Sequence, residues 1–196
     1  MKTTATLPSD ANAPAISNGV FGMSLFVAVE VLFFAGLLSA YVVTRQGVDA
    51  WPPPDQPRLP VLVTLFNTFL LLVSGVLLFR ANKRRHDATP WKGKFYDMFA
   101  ASILLGALFL ISQGWEWVQL IKHGLTVKSS IYGSTFYVIV GAHGLHVLGA
   151  ILYLGYILMR LMKSKTLLRE HFAAAQVFWY FVVGVWPIVF VTLYVL

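Results

Sequence analysis

Five apolar runs, each long enough to cross a bilayer, fix what this chain can fold into. They cover about residues 19–44, 59–81, 95–121, 132–160 and 171–196. A helix rises 1.5 Å per residue, so about 20 apolar residues cross a hydrocarbon core of about 30 Å. Water is absent there, and a helix satisfies every interior backbone amide within its own segment. The expected fold is therefore all-α: a polytopic membrane protein with a bundle of five transmembrane helices over residues 19–196, preceded by a polar tail over residues 1–18. Composition agrees, since 58% hydrophobic and 12% charged residues lie outside the range of a soluble domain this size.

The tail holds Pro8, Asp10 and Pro14 and lacks the apolar centre of a cleavable signal peptide. The loop after the first run carries Trp51-Pro-Pro-Pro54, which cannot be helical. The net charge of +7 does not point to nucleic acid, because the basic residues form short clusters between apolar runs. Of the 15 Lys and Arg, 11 fall on the side of the tail and the second and fourth loops. Basic loops stay cytoplasmic, so the N-terminus is expected inside and the C-terminus outside, in the periplasm. With no cysteine, disulfides, thiolate chemistry and iron–sulfur clusters are excluded for this chain, and any metal would need His or carboxylate ligands.

Polar residues inside the runs carry the functional expectations, because such groups are costly in hydrocarbon and face the bundle interior. Glu30 sits near the middle of the first run, on a face expected to include Gly19, Met23, Phe26, Phe33, Leu37 and Ala40. A carboxyl there needs a hydrogen-bond partner, and the third or fourth helix is the expected source. Two readings stand for it: interhelical glue, or a role in proton, lipid or substrate handling. Asn67 and Ser74 share a face of the second run. Ser102, Gly106, Phe109, Gln113 and Glu116 form a small and polar seam on the third, stepping by four and three. Glu116 lies near the outer end, where a carboxyl is expected to reach the interface or to pair with a residue such as Arg45.

The fourth run carries His143 and His146 on one face, with Gly133, Gly141, Gly144 and Gly149 offering close approach to a neighbouring helix. Haem held by two histidines needs them facing each other, usually from different helices, and di-iron bundles need Glu-x-x-His on two helices. Neither pattern is present. Neutral histidines bonded to neighbouring helices are the expectation. Pro187 in the last run is expected to kink it.

Four motifs resemble those of subunit III of the haem–copper oxidases, such as cytochrome c oxidase. They are Val29-Glu-Val-Leu-Phe-Phe-Ala-Gly36 with Ala40-Tyr41; Phe66-Asn-Thr-Phe-Leu-Leu-Leu-Val-Ser-Gly75; Gln113 with Glu116; and Tyr132-Gly-Ser-Thr-Phe136 followed by Gly141-Ala-His-Gly-Leu-His-Val147. Their order and separations match the family over nearly the whole chain, and five spans match its short bacterial form. One segment departs: Tyr180 and Val183 stand where the family usually has His and Asp. The resemblance implies a non-catalytic subunit in the bacterial cytoplasmic membrane, packed against subunit I and in company with the other oxidase subunits. Haem and copper would lie in those partners and none in this chain. It further implies phospholipid in an interhelical cleft, a hydrophobic route for oxygen, and support for proton uptake and lasting turnover, with Glu30, Asn67, Gln113, Glu116, His143 and His146 as the lipid-cleft or proton-related residues. An accessory subunit of a nitric-oxide reductase shares these motifs. A stand-alone proton-coupled transporter would be expected to show broken helices or inverted repeats, which the sequence lacks.

Overall fold

In the computed structural model, whose described residues are 17–48, 50–54, 56–87, 93–164, 167 and 169–196, five long helices account for the five apolar runs. They are α1 (Asn18–Gln46), α2 (Val61–Lys83), α3 (Lys94–Lys122), α4 (Ile131–Ser164) and α5 (Arg169–Phe190). All five are long and apolar enough to cross a membrane, α5 together with the turn that follows it. No strand occurs among the described residues. The polar tail lies outside those residues up to position 16.

The helix ends follow local chemistry. Ser17 caps α1, its hydroxyl accepting from the Val20 amide at 3.4 Å. Pro60 is the cap residue of α2, a place where its missing N–H costs no helical hydrogen bond. Helix α3 starts after Gly93, whose φ of 101° suits glycine and strains other residues. The helix α5 continues through Pro187 to Phe190, and the last residues, Val191–Val195, wind into a wider π turn.

Helix α5 lies at the centre. Half of its most apolar stretch is buried inside the bundle, against 11% for α1, which rests on α4 and α5 at the edge. Helix α2 runs along α3 and also touches α5. Small residues set these distances. A methyl group on Gly106 of α3 would come within 2.5 Å of the Trp179 ring of α5, a ring with no exposed surface. Gly75 of α2 faces Val183 of α5, where an added methyl would lie 3.0 Å from a Val183 methyl. Ser102 donates across α2 and α3 to the Ser74 carbonyl at 2.8 Å, and Trp186 donates to the Thr68 hydroxyl at 2.9 Å.

Two packing expectations need correction. On α1 the inward face is Phe34 and Tyr41, flanked by Met23, Val27, Leu37 and Leu38, whereas Phe26 and Phe33 are 45% and 44% exposed. A span that is apolar all round gives no polar face from which to phase the helix, so the face is rotated by about one residue from the expected one. On α4, only Gly133 and Gly144 approach other groups, respectively the Thr126 carbonyl of the preceding loop and the Trp117 ring of α3. Gly141 and Gly149 have open space where a side chain would project.

Candidate functional site

The polar residues of the spans gather in two groups. The first joins α1 to α4: Glu30 Oε2 lies 2.9 Å from His146 Nε2, with the two side chains 15% and 18% exposed. The expected source of a partner for Glu30 is met by the fourth helix. His146 is held from its other nitrogen, since Nδ1 lies 2.7 Å from the Ala142 carbonyl oxygen. A carbonyl can only accept, so Nδ1 carries a proton and donates. Nε2 then either accepts from a protonated Glu30 or, as part of an imidazolium, donates to the carboxylate. The two forms differ in the position of one proton, shared between the residues. Aromatic rings enclose the pair: Phe34 meets the His146 ring edge-on at 5.3 Å, and Phe178 and Phe181 lie at 6.2 and 6.4 Å.

Phe34 and Phe181 also line a cleft of about 540 Å³ between α1 and α5, together with Val27, Val31, Leu38, Tyr180 and Ile188. Its walls are almost wholly apolar. Tyr180, one of the two departures from the family pattern, lines this cleft, and its hydroxyl accepts from Gln176 Nε2 at 3.1 Å one turn earlier. Val183, the other, is buried against Gly75 and fills by packing a place where the family usually has a carboxyl.

His143 corrects an expectation. Its ring is buried and both nitrogens are without a hydrogen-bond partner among the described residues. It is held by aromatic surfaces instead, stacked on Trp186 at 4.7 Å and 27° and flanked by Phe109 and Phe34. One face of α4 meets aromatic rings from three helices there, which leaves the His143 nitrogens without a partner among the described residues, while His146, one turn on, meets Glu30.

The second group joins α2 to α3 and overturns the reading of Glu116. It neither reaches the interface nor pairs with Arg45; it is 5% exposed and sits among neutral donors. Asn67 Nδ2 donates to Oε1 at 2.8 Å and Gln113 Nε2 to Oε2 at 2.8 Å. The Thr64 hydroxyl lies 2.9 Å from Oε2 and 3.0 Å from the Pro60 carbonyl, which compete for its single proton. Gln113 Nε2 also reaches the Tyr194 hydroxyl of the final turn at 3.3 Å. A glutamate at the end of a span has two solutions, the rim or a polar cradle, and the cradle wins because α2 supplies it. Thr64 was the residue missed. It continues the series Asn67, Leu71, Ser74 and Leu78 back by three, so the 3.5 average spacing on the second run carried the signal.

Among the described residues, no three His, Asp or Glu side chains come together as a set that could hold a metal ion. The arrangement offers a hydrogen-bonded carboxyl and imidazole beside an apolar cleft, and a buried carboxyl held by two amides and a hydroxyl.

The sequence matches known proteins over most of its length. The family model for cytochrome c oxidase subunit III matches residues 2–196. A cytochrome c oxidase subunit 3 of Corynebacterium diphtheriae is 36% identical over 183 residues, covering 88% of this chain and 85% of the relative. The Synechocystis protein of that name is 33% identical over 211 residues, covering 100% and 88%, and the Rattus norvegicus protein 34% over 192 residues, covering 93% and 72%. With five spans, a family match across the chain and relatives above the level at which homology is plain, the chain belongs to the cytochrome c oxidase subunit III family.

Proposed function

We propose that this chain is the non-catalytic third subunit of a respiratory haem–copper oxidase, packed on subunit I in the bacterial cytoplasmic membrane. Haem and copper reside in its partners, and this chain supplies no redox centre. It holds phospholipid in the cleft between α1 and α5, offers oxygen an apolar route, and supports proton uptake and lasting turnover. Family membership supports the assembly, and the observation that carries the finer reading is the pairing of Glu30 with His146 at 2.9 Å behind the cleft wall. An apolar cleft suits acyl chains and dissolved oxygen, while a carboxyl and an imidazole joined behind its wall give a proton-linked pair at membrane depth.

Purifying the tagged chain from membranes in mild detergent tests this reading. A haem-containing oxidase core should co-elute, and the chain freed from it should retain no stoichiometric haem, copper or iron. Elution without any haem protein, or a Soret band that follows the separated chain, overturns it. Elution with a nitric-oxide reductase core in place of an oxygen-reducing one would transfer the subunit to that enzyme.

The proposed topology, N-terminus cytoplasmic and C-terminus periplasmic, follows from the 11 of 15 basic residues on one side. Reporter fusions after Arg85 and after Lys128 should read opposite sides of the membrane, with Arg85 cytoplasmic. The same side for both, or the reverse order, contradicts the map.

A further inference from the structure

At the end of α2 opposite Glu116, three cations gather: Arg80 and Lys83 of the last turns and Arg84, the residue that caps the helix, with Lys83 and Arg84 respectively three and four positions after Arg80. They line, with Met98 of α3, a recess of about 610 Å³. Like charges at such spacing repel weakly, so an anion bound among them is favoured. Among the described residues no carboxylate pairs with them, and Asp97, the described acid of the neighbouring α3 start, is in no ion pair with them. The exposed Lys83 side chain sets its ammonium 4.7 Å over the half-exposed Phe79 ring, which places it beside the apolar surface of α2.

Depth decides what kind of anion fits. Arg80 is 19 residues beyond Val61, which puts the cations about 30 Å along the span, at the level where lipid headgroups begin. Directly below them α2 exposes Phe79, Val76, Leu72 and Phe69, an apolar strip against which acyl chains can lie. Cations at headgroup depth over an apolar strip match a molecule with a phosphodiester at one end and hydrocarbon at the other. We infer that Arg80, Lys83 and Arg84 form a site for an anionic phospholipid, with its phosphodiester in the recess beside Met98 and its chains along α2. The site is separate from the α1–α5 cleft and does not depend on the oxidase assignment, so a failure to co-purify with a haem core leaves it standing.

Native mass spectrometry of the full-length chain in mild detergent, with phosphatidylglycerol and phosphatidylcholine of identical acyl chains as probes, provides the test. The wild-type chain should retain phosphatidylglycerol preferentially. Removing two of the cations in R80Q/R84Q should weaken that binding roughly thirtyfold, at about fivefold for each, and leave phosphatidylcholine unchanged. Lys83→Gln alone should give a step of about fivefold, so the result does not hang on the double variant folding. The control K122Q/K128Q, at the opposite ends of the spans, should bind as wild type. Equal retention of the two lipids, no loss in R80Q/R84Q and K83Q, or an equal loss in the control overturns the site. Displacement of the bound lipid by millimolar inorganic phosphate alone would also overturn it, as the mark of a simple anion site.

Discussion

Glu116→Leu should lower the thermal midpoint of the purified chain sharply, while Glu116→Gln should cost much less. Leucine removes the acceptor for Asn67 Nδ2, Gln113 Nε2 and the Thr64 hydroxyl at once, and none of the three is near water. A buried donor left without a partner costs roughly 1–3 kcal/mol, while interhelical hydrogen bonds inside membranes average nearer 0.6 kcal/mol, so three together amount to about 2–4 kcal/mol. Thr64 can turn its proton fully to the Pro60 carbonyl, which limits its share. Glutamine keeps one acceptor and brings an NH₂, which Asn67 can meet by turning its amide, because Asn67 Oδ1 is otherwise unpartnered. Size-exclusion profiles after stepwise heating in detergent measure the difference. Equal midpoints for wild type and Glu116→Leu would show that the cradle does not hold α2 to α3.

Glu30→Leu and Glu30→Gln should separate in the same manner, with a functional readout added. Leucine leaves His146 Nε2 facing aromatic rings without a partner, because Nδ1 is committed to the Ala142 carbonyl. The loss is about 1–3 kcal/mol, and since α1 is the least buried helix it should show as loosened attachment of α1 and fewer retained lipids. Glutamine can donate an N–H to Nε2 and should preserve assembly. It cannot share a proton, so proton-linked behaviour or turnover lifetime of the assembled oxidase should still change. Proton stoichiometry and inactivation rate of the reconstituted complex are the measurements. If both variants match wild type in assembly, lipid content, stoichiometry and inactivation rate, Glu30 has no functional role here.

Much of this protein was legible in the chain itself. Five spans, their loops and the inward direction of Glu30, Asn67, Ser102, Gln113 and His146 follow from one rule: hydrocarbon admits backbone only as satisfied helix and admits polar side chains only where other helices answer them. The order of the motifs through Glu30, Asn67, Glu116 and His143 identified the family, which the matches across residues 2–196 establish. Tertiary structure decided which polar groups answer one another. Sequence spacing places a residue on a face of its own helix, but the partner depends on how helices are rotated and stacked, and apolar spans carry little phase information. Hence Phe34 and not Phe33 turns inward, and Glu116 finds Thr64, Asn67 and Gln113 in place of Arg45. For the same reason two histidines three residues apart have opposite fates: His146 meets a carboxyl on α1, and His143 packs against the rings of Trp186, Phe109 and Phe34, its nitrogens without a hydrogen-bond partner among the described residues.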